Sequence, residues 1–263
     1  MLTEDQRDRI EVVLVSPRNP LNIGATARAM ANFGFSSLAV VAPFEAHWRE
    51  ARSAVGAPDL LSAAKETVTL ADAVKGCTLV IGTGTITYRK PEQPVVPLPL
   101  LTPIVEGELQ LGGRVALVFG PEKHGLTRED LSYCRLFVWI PTDARQPSMN
   151  LGQAAAVCLY ELARPIPIEK TTGARDQNSA ETAPNAASGS LDLLAELIGQ
   201  TMTAVGYSPR IMEGANRHDL RLLLRRLRWT EGDARHTLGV FRRILWRLAH
   251  PSDQSTSSDE APQ

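Results

Sequence analysis

The sequence predicts an α/β protein, a parallel sheet of buried strands with helices between them, followed by a small all-α C-terminal domain. Three observations carry this. Short runs rich in Val, Ile and Leu recur through residues 1–165, separated by stretches long enough to be helices. Leu and Arg repeat at helical spacing through residues 191–250. Between the two lies a segment, residues 166–190, dominated by Ala, Ser, Thr, Pro and Gly.

Taken in order, EVVLV is the first strand, and NIGATARAMANFG is an amphipathic helix whose Ala27, Ala29, Met30 and Phe33 face the sheet. SLAVV returns to the sheet, and CTLVIG, RVALVFG and RLFVWI add further buried strands before the long helix that contains AAAVCLYEL. Residues 1–165 therefore make one domain. Residues 166–190 read as a flexible linker, because their few apolar side chains cannot repay the entropy of ordering. In residues 191–250, LLAELIG, DLRLLLRRL and LGVFRRILWRL predict two or three packed helices, and residues 251–263 a disordered tail.

Composition sets limits on function. With 43% apolar and 22% charged residues the chain has ordinary globular composition, which excludes a wholly disordered or collagenous protein. No apolar run approaches the ~20 residues of a membrane span, and the polar start MLTEDQRDRI lacks a signal-peptide core, so a cytoplasmic protein without membrane contact is expected. Cys77, Cys134 and Cys158 are odd in number and sit in apolar stretches, which predicts buried thiols and neither a disulfide framework nor a metal site. The 28 Lys+Arg against 29 Asp+Glu give a net charge of −1, with no overall hint of a nucleic-acid partner. That total hides a segregation: residues 1–165 hold 16 basic and 17 acidic side chains, whereas residues 191–250 hold 10 basic, all Arg, and 6 acidic.

Four loops after buried strands have the residues for chemistry. In SPRNPLNIGATARAM, Asn22 is placed to cap the helix, Gly24 permits close backbone approach and Arg28 lies on the helix that follows. A capped helix with an exposed Arg accounts for the same residues. In RVALVFGPEKHGL, Gly120 and Gly125 bracket Glu122, Lys123 and His124, as a ligand loop or a solvated turn would; His124 alone is weak evidence for a general base. In IPTDARQPSMNLGQ, Ser148 and Asn150 flank Met149 at a helix start, where capping explains them as simply as catalysis. VIGTGT puts Thr83, Gly84 and Thr85 at a strand end but lacks the third glycine and distant acid of a dinucleotide site.

In combination and order, NIGATARAM, ALVFGPEKHGL and IPTDARQPSMNLGQAAAV resemble the three signatures of the SpoU-type branch of the SPOUT superfamily, RNA 2′-O-methyltransferases with a C-terminal trefoil knot. The resemblance covers residues 10–163. The Arg-rich helical extension is similar to that of the bacterial branch that methylates the ribose of cytidine or uridine 32 in the tRNA anticodon loop. The resemblance implies S-adenosylmethionine as cofactor, held by Thr83, Gly84, Thr85, Gly120, Ile140, Pro147, Ser148 and Met149. It implies Arg28 as the catalytic arginine, with Asn22, Glu122, Ser148 and Asn150 as the other functional polar positions, and a homodimer acting on tRNA. A guanidinium stays protonated, so Arg28 is expected to clamp a phosphate and stabilise the incipient alkoxide, with Glu122 fixing the guanidinium and Ser148 and Asn150 orienting ribose and cofactor.

The extension supplies the electrostatics that an RNA substrate needs. Arg217, Arg221, Arg225 and Arg228 recur every three or four residues, on a helix face expected to lie opposite Leu220, Leu223, Leu224 and Leu227. A solvated charged face is the plainer alternative. An rRNA methyltransferase of the same fold, and an RNA-binding protein that has lost the chemistry, are the competing functions.

Overall fold

A computed structural model of the chain describes residues 2–87, 90–164, 184–207 and 212–250. Seven strands, β1 (Ile10–Val15), β2 (Ser37–Val41), β3 (Lys65–Thr67), β4 (Leu79–Gly84), β5 (Val95–Pro97), β6 (Val115–Phe119) and β7 (Leu136–Trp139), form one sheet in the order β3-β2-β1-β6-β4-β7-β5. Every pairing is parallel. Ten α-helices accompany them among the described residues. They are α1 (Glu4–Asp8), α2 (Pro20–Phe33), α3 (Pro58–Ala63), α4 (Leu70–Val74), α5 (Leu101–Gln110), α6 (Arg128–Ser132), α7 (Leu151–Ala163), α8 (Ser188–Ala204), α9 (Glu213–Arg226) and α10 (Glu231–Ala249).

The continuous apolar runs exist because both sheet faces are covered. Ile10, Val12 and Leu14 of β1 enter one core with residues of α2, α5 and α7, while Val13 and Val15 enter another with residues of α4 and α6. Full burial of each such side chain contributes about 1.5–3 kcal/mol. Cys77, Cys134 and Cys158 are buried free thiols, and burial pushes each up to about 12. Two short strands escaped the sequence reading: Lys-Glu-Thr of β3 and Val-Val-Pro of β5 lie on the two sheet edges, where no apolar run is required.

Helices α8, α9 and α10 share an apolar cluster of Leu194, Ala195, Leu224 and Leu238, and the Thr230–Asp233 capping box starts α10. The stripe expected on α9 is rotated. Leu222 and Leu224 are buried, whereas Leu223 and Leu227 are about half exposed. The helices also dock on the sheet unit, where Ser188 and Gly189 donate backbone N–H groups to the carbonyls of Cys77 (2.8 Å) and Lys75 (3.0 Å). The expected linker thus ends earlier than residue 190: Asn185 bridges to Thr230 and Ala186 is buried. Residues 165–183 and the tail 251–263 lie outside the described residues. Among the described residues no helix is long and apolar enough to cross a membrane.

Candidate active site

The carboxyl ends of β4, β6 and β7 open into one cleft of about 420 Å³, where ligands of open α/β sheets bind. It is lined by Thr83, Gly84 and Thr85 from the first strand end, by Gly120 and Glu122 after β6, and by Ile140, Pro147, Ser148 and Met149 between β7 and α7. All eight residues expected to hold a cofactor therefore meet in one place. Most of the lining is apolar, small or backbone, which suits a flat heteroaromatic ring and an aliphatic tail. The residues present thus fit S-adenosylmethionine, with Glu122 as the carboxylate in the cleft.

Hydrogen bonds explain how three distant segments are held to this cleft. The cap of α2 is Asn19, whose side chain accepts from Leu21 N with Pro20 at the first helical position, so Asn22 is not the cap. Asn22 lies one turn in, almost fully buried, and its Nδ2 donates to Glu122 Oε1 at 2.8 Å. Its Oδ1 accepts from Asn150 Nδ2 at 2.9 Å. Asn150 Oδ1 in turn caps α7, accepting from Gly152 N and Gln153 N at 2.9 and 3.3 Å. One chain of side-chain bonds thus ties the starts of α2 and α7 to the loop after β6.

Glu122 is the anionic end of that chain. It also accepts from Arg18 N at 3.0 Å and Asn19 N at 3.1 Å, at the amino end of α2. Partial burial works to raise its pKa, but the bonds from Asn22 and from the backbone prevail and hold the carboxyl below its ordinary value. The donors to Glu122 are the Asn22 side chain and backbone N–H groups, and none of them is Arg28. The expectation that Glu122 fixes the guanidinium is therefore corrected.

The glycines serve packing. A Cβ on Gly24 would lie 2.2 Å from Ser53 Oγ and 2.9 Å from Ala54 N, and one on Gly120 would strike the backbone of Gly125 and Leu126. Gly24 admits the segment after β2, and Gly120 lets its own loop close, with Gly125 at φ 60° donating to Pro121 O.

The SpoU rRNA Methylase family matches residues 9–160. The chain belongs to that family. It is 44% identical over 156 residues to the tRNA (cytidine/uridine/adenosine-2′-O-)-methyltransferase TrmJ of Pseudomonas aeruginosa, a match covering 59% of this chain and 60% of that protein. With the tRNA (cytidine/uridine-2′-O-)-methyltransferase TrmJ of Pectobacterium atrosepticum it shares 30% identity over 252 residues, 94% of this chain and 99% of that one. The crystal structure of TrmJ from Z. mobilis ZM4 is similar at a TM-score of 0.76 and 27% identity, covering 89% of this chain and 98% of that chain.

Other expected site residues fall differently. Arg28 is exposed on α2, does not line the cleft, and makes no hydrogen bond or ion pair with the described residues. Ser148 lines the cleft, and His124 lies where it meets a neighbouring cavity. Among the described residues, no group of three or more His, Cys, Asp or Glu could hold a metal ion.

The four arginines do not form one solvent face, and Arg228 lies past the end of α9 at Arg226. Arg217 and Arg228 are exposed. Arg225 is only 4% exposed; it donates to Asp192 Oδ1 at 2.6 Å, Ser188 Oγ at 3.1 Å and Tyr133 O at 3.0 Å. Arg221 pairs with Glu129 and lies over the Tyr133 ring, 4.4 Å from its centroid. These two side chains dock the helices on the sheet unit. An exposed cationic face that the reading of α9 missed lies on α10. There Arg235, His236, Arg242, Arg243, Arg247 and His250 are exposed along the helix together with Trp246, which is 54% exposed and stacked on the His250 ring at 5.0 Å.

Proposed function

We propose that this chain is a tRNA ribose 2′-O-methyltransferase that uses S-adenosylmethionine, acts on nucleotide 32 of the anticodon loop, and works in the cytoplasm as a homodimer. The carrying observation is the joined cleft: the second and third signature segments line it, and the first, far from both in sequence, is tied to it by the Asn150–Asn22–Glu122 chain. The family and the names of the relatives support the reaction class and the tRNA substrate. The trefoil threading belongs to the same proposal.

When bound, S-adenosylmethionine supplies a methyl group on a positively charged sulfur. The backbone at Thr83–Thr85, Gly120 and Pro147–Met149 would hold it, with Ile140 against its apolar parts. Ser148, whose hydroxyl has no hydrogen bond to the described residues, is free to orient the ribose. The ribose hydroxyl is a weak nucleophile, and the charge growing on its oxygen needs a fixed cation. Arg28 is that cation: it cannot accept a proton, but its fork suits a phosphate together with a nascent alkoxide. Its exposure outside the cleft of its own chain favours a site completed by α2 of a second copy. Asn22 and Asn150 are positioning residues.

RNA contact falls to the exposed cations, Arg217 and Arg228 together with the outward face of α10, where Trp246 offers a surface for an unstacked base. Arg221 and Arg225 act through docking. The deciding experiment is methyl transfer from labelled S-adenosylmethionine to unmodified tRNA, with mass mapping of the product. Label at nucleotide 32 is expected; label elsewhere in tRNA overturns the position, and label in rRNA alone overturns the substrate.

A further inference from the structure

At the amino end of the sheet, opposite the cleft, a cavity of about 610 Å³ lies between the sheet, α5 and the end of α9. Leu79, Val96, Ile104 and Leu136 give it an apolar wall, and Arg135, Arg225, Arg226 and Arg228 also line it. Six residues of β4 separate its two ends, so this cavity and the cleft are roughly 17 Å apart along the strand.

The charges in this cavity do not balance. Arg225 is neutralised by Asp192, yet its Nη1 is buried without a hydrogen-bond partner. The side chains of Arg135 and Arg228 make no hydrogen bond or ion pair with the described residues, although they are near enough to repel. Burial, and then the Arg228 guanidinium, hold Arg135 below the ordinary guanidinium range, while Glu108 acts the other way. Glu108 is the carboxylate of the lining: Asn185 Nδ2 donates to its Oε2 at 2.8 Å and its Oε1 is buried and unpartnered. With Arg225 answered by Asp192 and one further guanidinium by Glu108, two positive charges remain. Arg225 is buried with an unmet donor and Arg135 is partly buried, a state that is costly unless an anion joins them, whereas Arg226 and Arg228 are exposed.

We propose that this cavity is a second binding site, which takes a nucleotide phosphate. Arg135 and Arg228 grip the phosphate in charge-assisted bonds, Arg225 Nη1 completes the set, and the apolar wall covers the sugar and base. The nucleotide comes either as a free mononucleotide or as one unit of an RNA strand. The second source rests on the proposed RNA substrate; the site itself does not.

The test is equilibrium binding of cytidine 5′-monophosphate to the full chain with S-adenosylmethionine saturating, beside cytidine as the control. The monophosphate is expected to bind and cytidine not to, with affinity at least about tenfold weaker in Arg228→Gln, an exposed position that should fold normally, and in Arg135→Gln. No binding by the wild-type chain, or equal binding by wild type and Arg228→Gln, overturns the site. If unmodified tRNA displaces the monophosphate, and Arg228→Gln also weakens tRNA binding, the source is RNA; if tRNA leaves it bound, the source is a free nucleotide. Methyl transfer is measured separately, so a failure of the proposed activity leaves the binding result readable.

Discussion

The cleft end of the sheet and the helical extension are both built from polar residues that stand out in the sequence, yet only the first collects its residues as the sequence suggests. In the cleft, Thr83–Thr85, Gly120, Glu122 and Pro147–Met149 come from strand ends, and a parallel sheet brings strand ends together whatever lies between them. In the extension, Arg217, Arg221, Arg225 and Arg228 were selected by helical spacing, which fixes a common face but not what that face meets. The sheet unit covers part of it, so Arg225 is a buried anchor and Arg228 is not. Strand-end loops locate a site; helix periodicity locates only a surface.

The largest effect is expected where the cleft region is least self-sufficient. Arg28→Ala should lower the methyl-transfer rate by about 10²–10³-fold, the usual loss when one stabilising group of a developing oxyanion is removed. S-adenosylmethionine affinity should be unchanged, because Arg28 does not line the cleft. Mixing Arg28→Ala chains with chains carrying a cleft lesion such as Gly84→Trp should restore part of the activity if each site draws Arg28 from the other copy. Rate loss matched by equal loss of cofactor affinity would mean that Arg28 serves the cleft directly.

The next effect separates the two kinds of arginine in the extension. Arg225→Ala leaves the partly buried Asp192 without its partner and should cost about 3 kcal/mol, read by urea unfolding. Arg217→Ala, an exposed position, should stay within about 0.5 kcal/mol but flatten the salt dependence of tRNA binding by about one unit of slope. If Arg225→Ala were as stable as Arg217→Ala, the docking role assigned to Arg225 would be wrong.

Most of the sheet was legible because interior strands are buried on both faces, so β1, β2, β4, β6 and β7 read as continuous apolar runs. The edge strands β3 and β5 carried no such signal. Asn22, Glu122 and Asn150 were picked by resemblance, but their links could not be read, since the bonded pairs are 100 and 128 positions apart. Nor could the cap of α2: Asn19 and Asn22 are both good cap residues, and Pro20 after Asn19 was the available clue. Arg135 passed unnoticed because a single Arg before an apolar strand means nothing until α9 brings Arg225 and Arg228 beside it.

The smallest effect tests the polar chain of the cleft through pH. Hydrogen bonds from Asn22 and from the α2 backbone hold Glu122 below its ordinary value of 4.5. A carboxyl depressed in the folded state contributes stability above its unfolded pKa, and that contribution fades as pH falls through the depressed value. Glu122→Gln keeps an acceptor oxygen for Asn22 and the Asn19 N–H but cannot ionise, and its amide N–H₂ faces the backbone N–H of Arg18. The variant should therefore melt below wild type at pH 7, and the gap in Tm should narrow steadily below about pH 4.5 as the wild-type carboxylate takes up its proton. A gap that is constant from pH 7 to pH 3 would show that the depressed pKa of Glu122 carries no part of the stability, and that the Asn150–Asn22–Glu122 chain holds the cleft by shape alone.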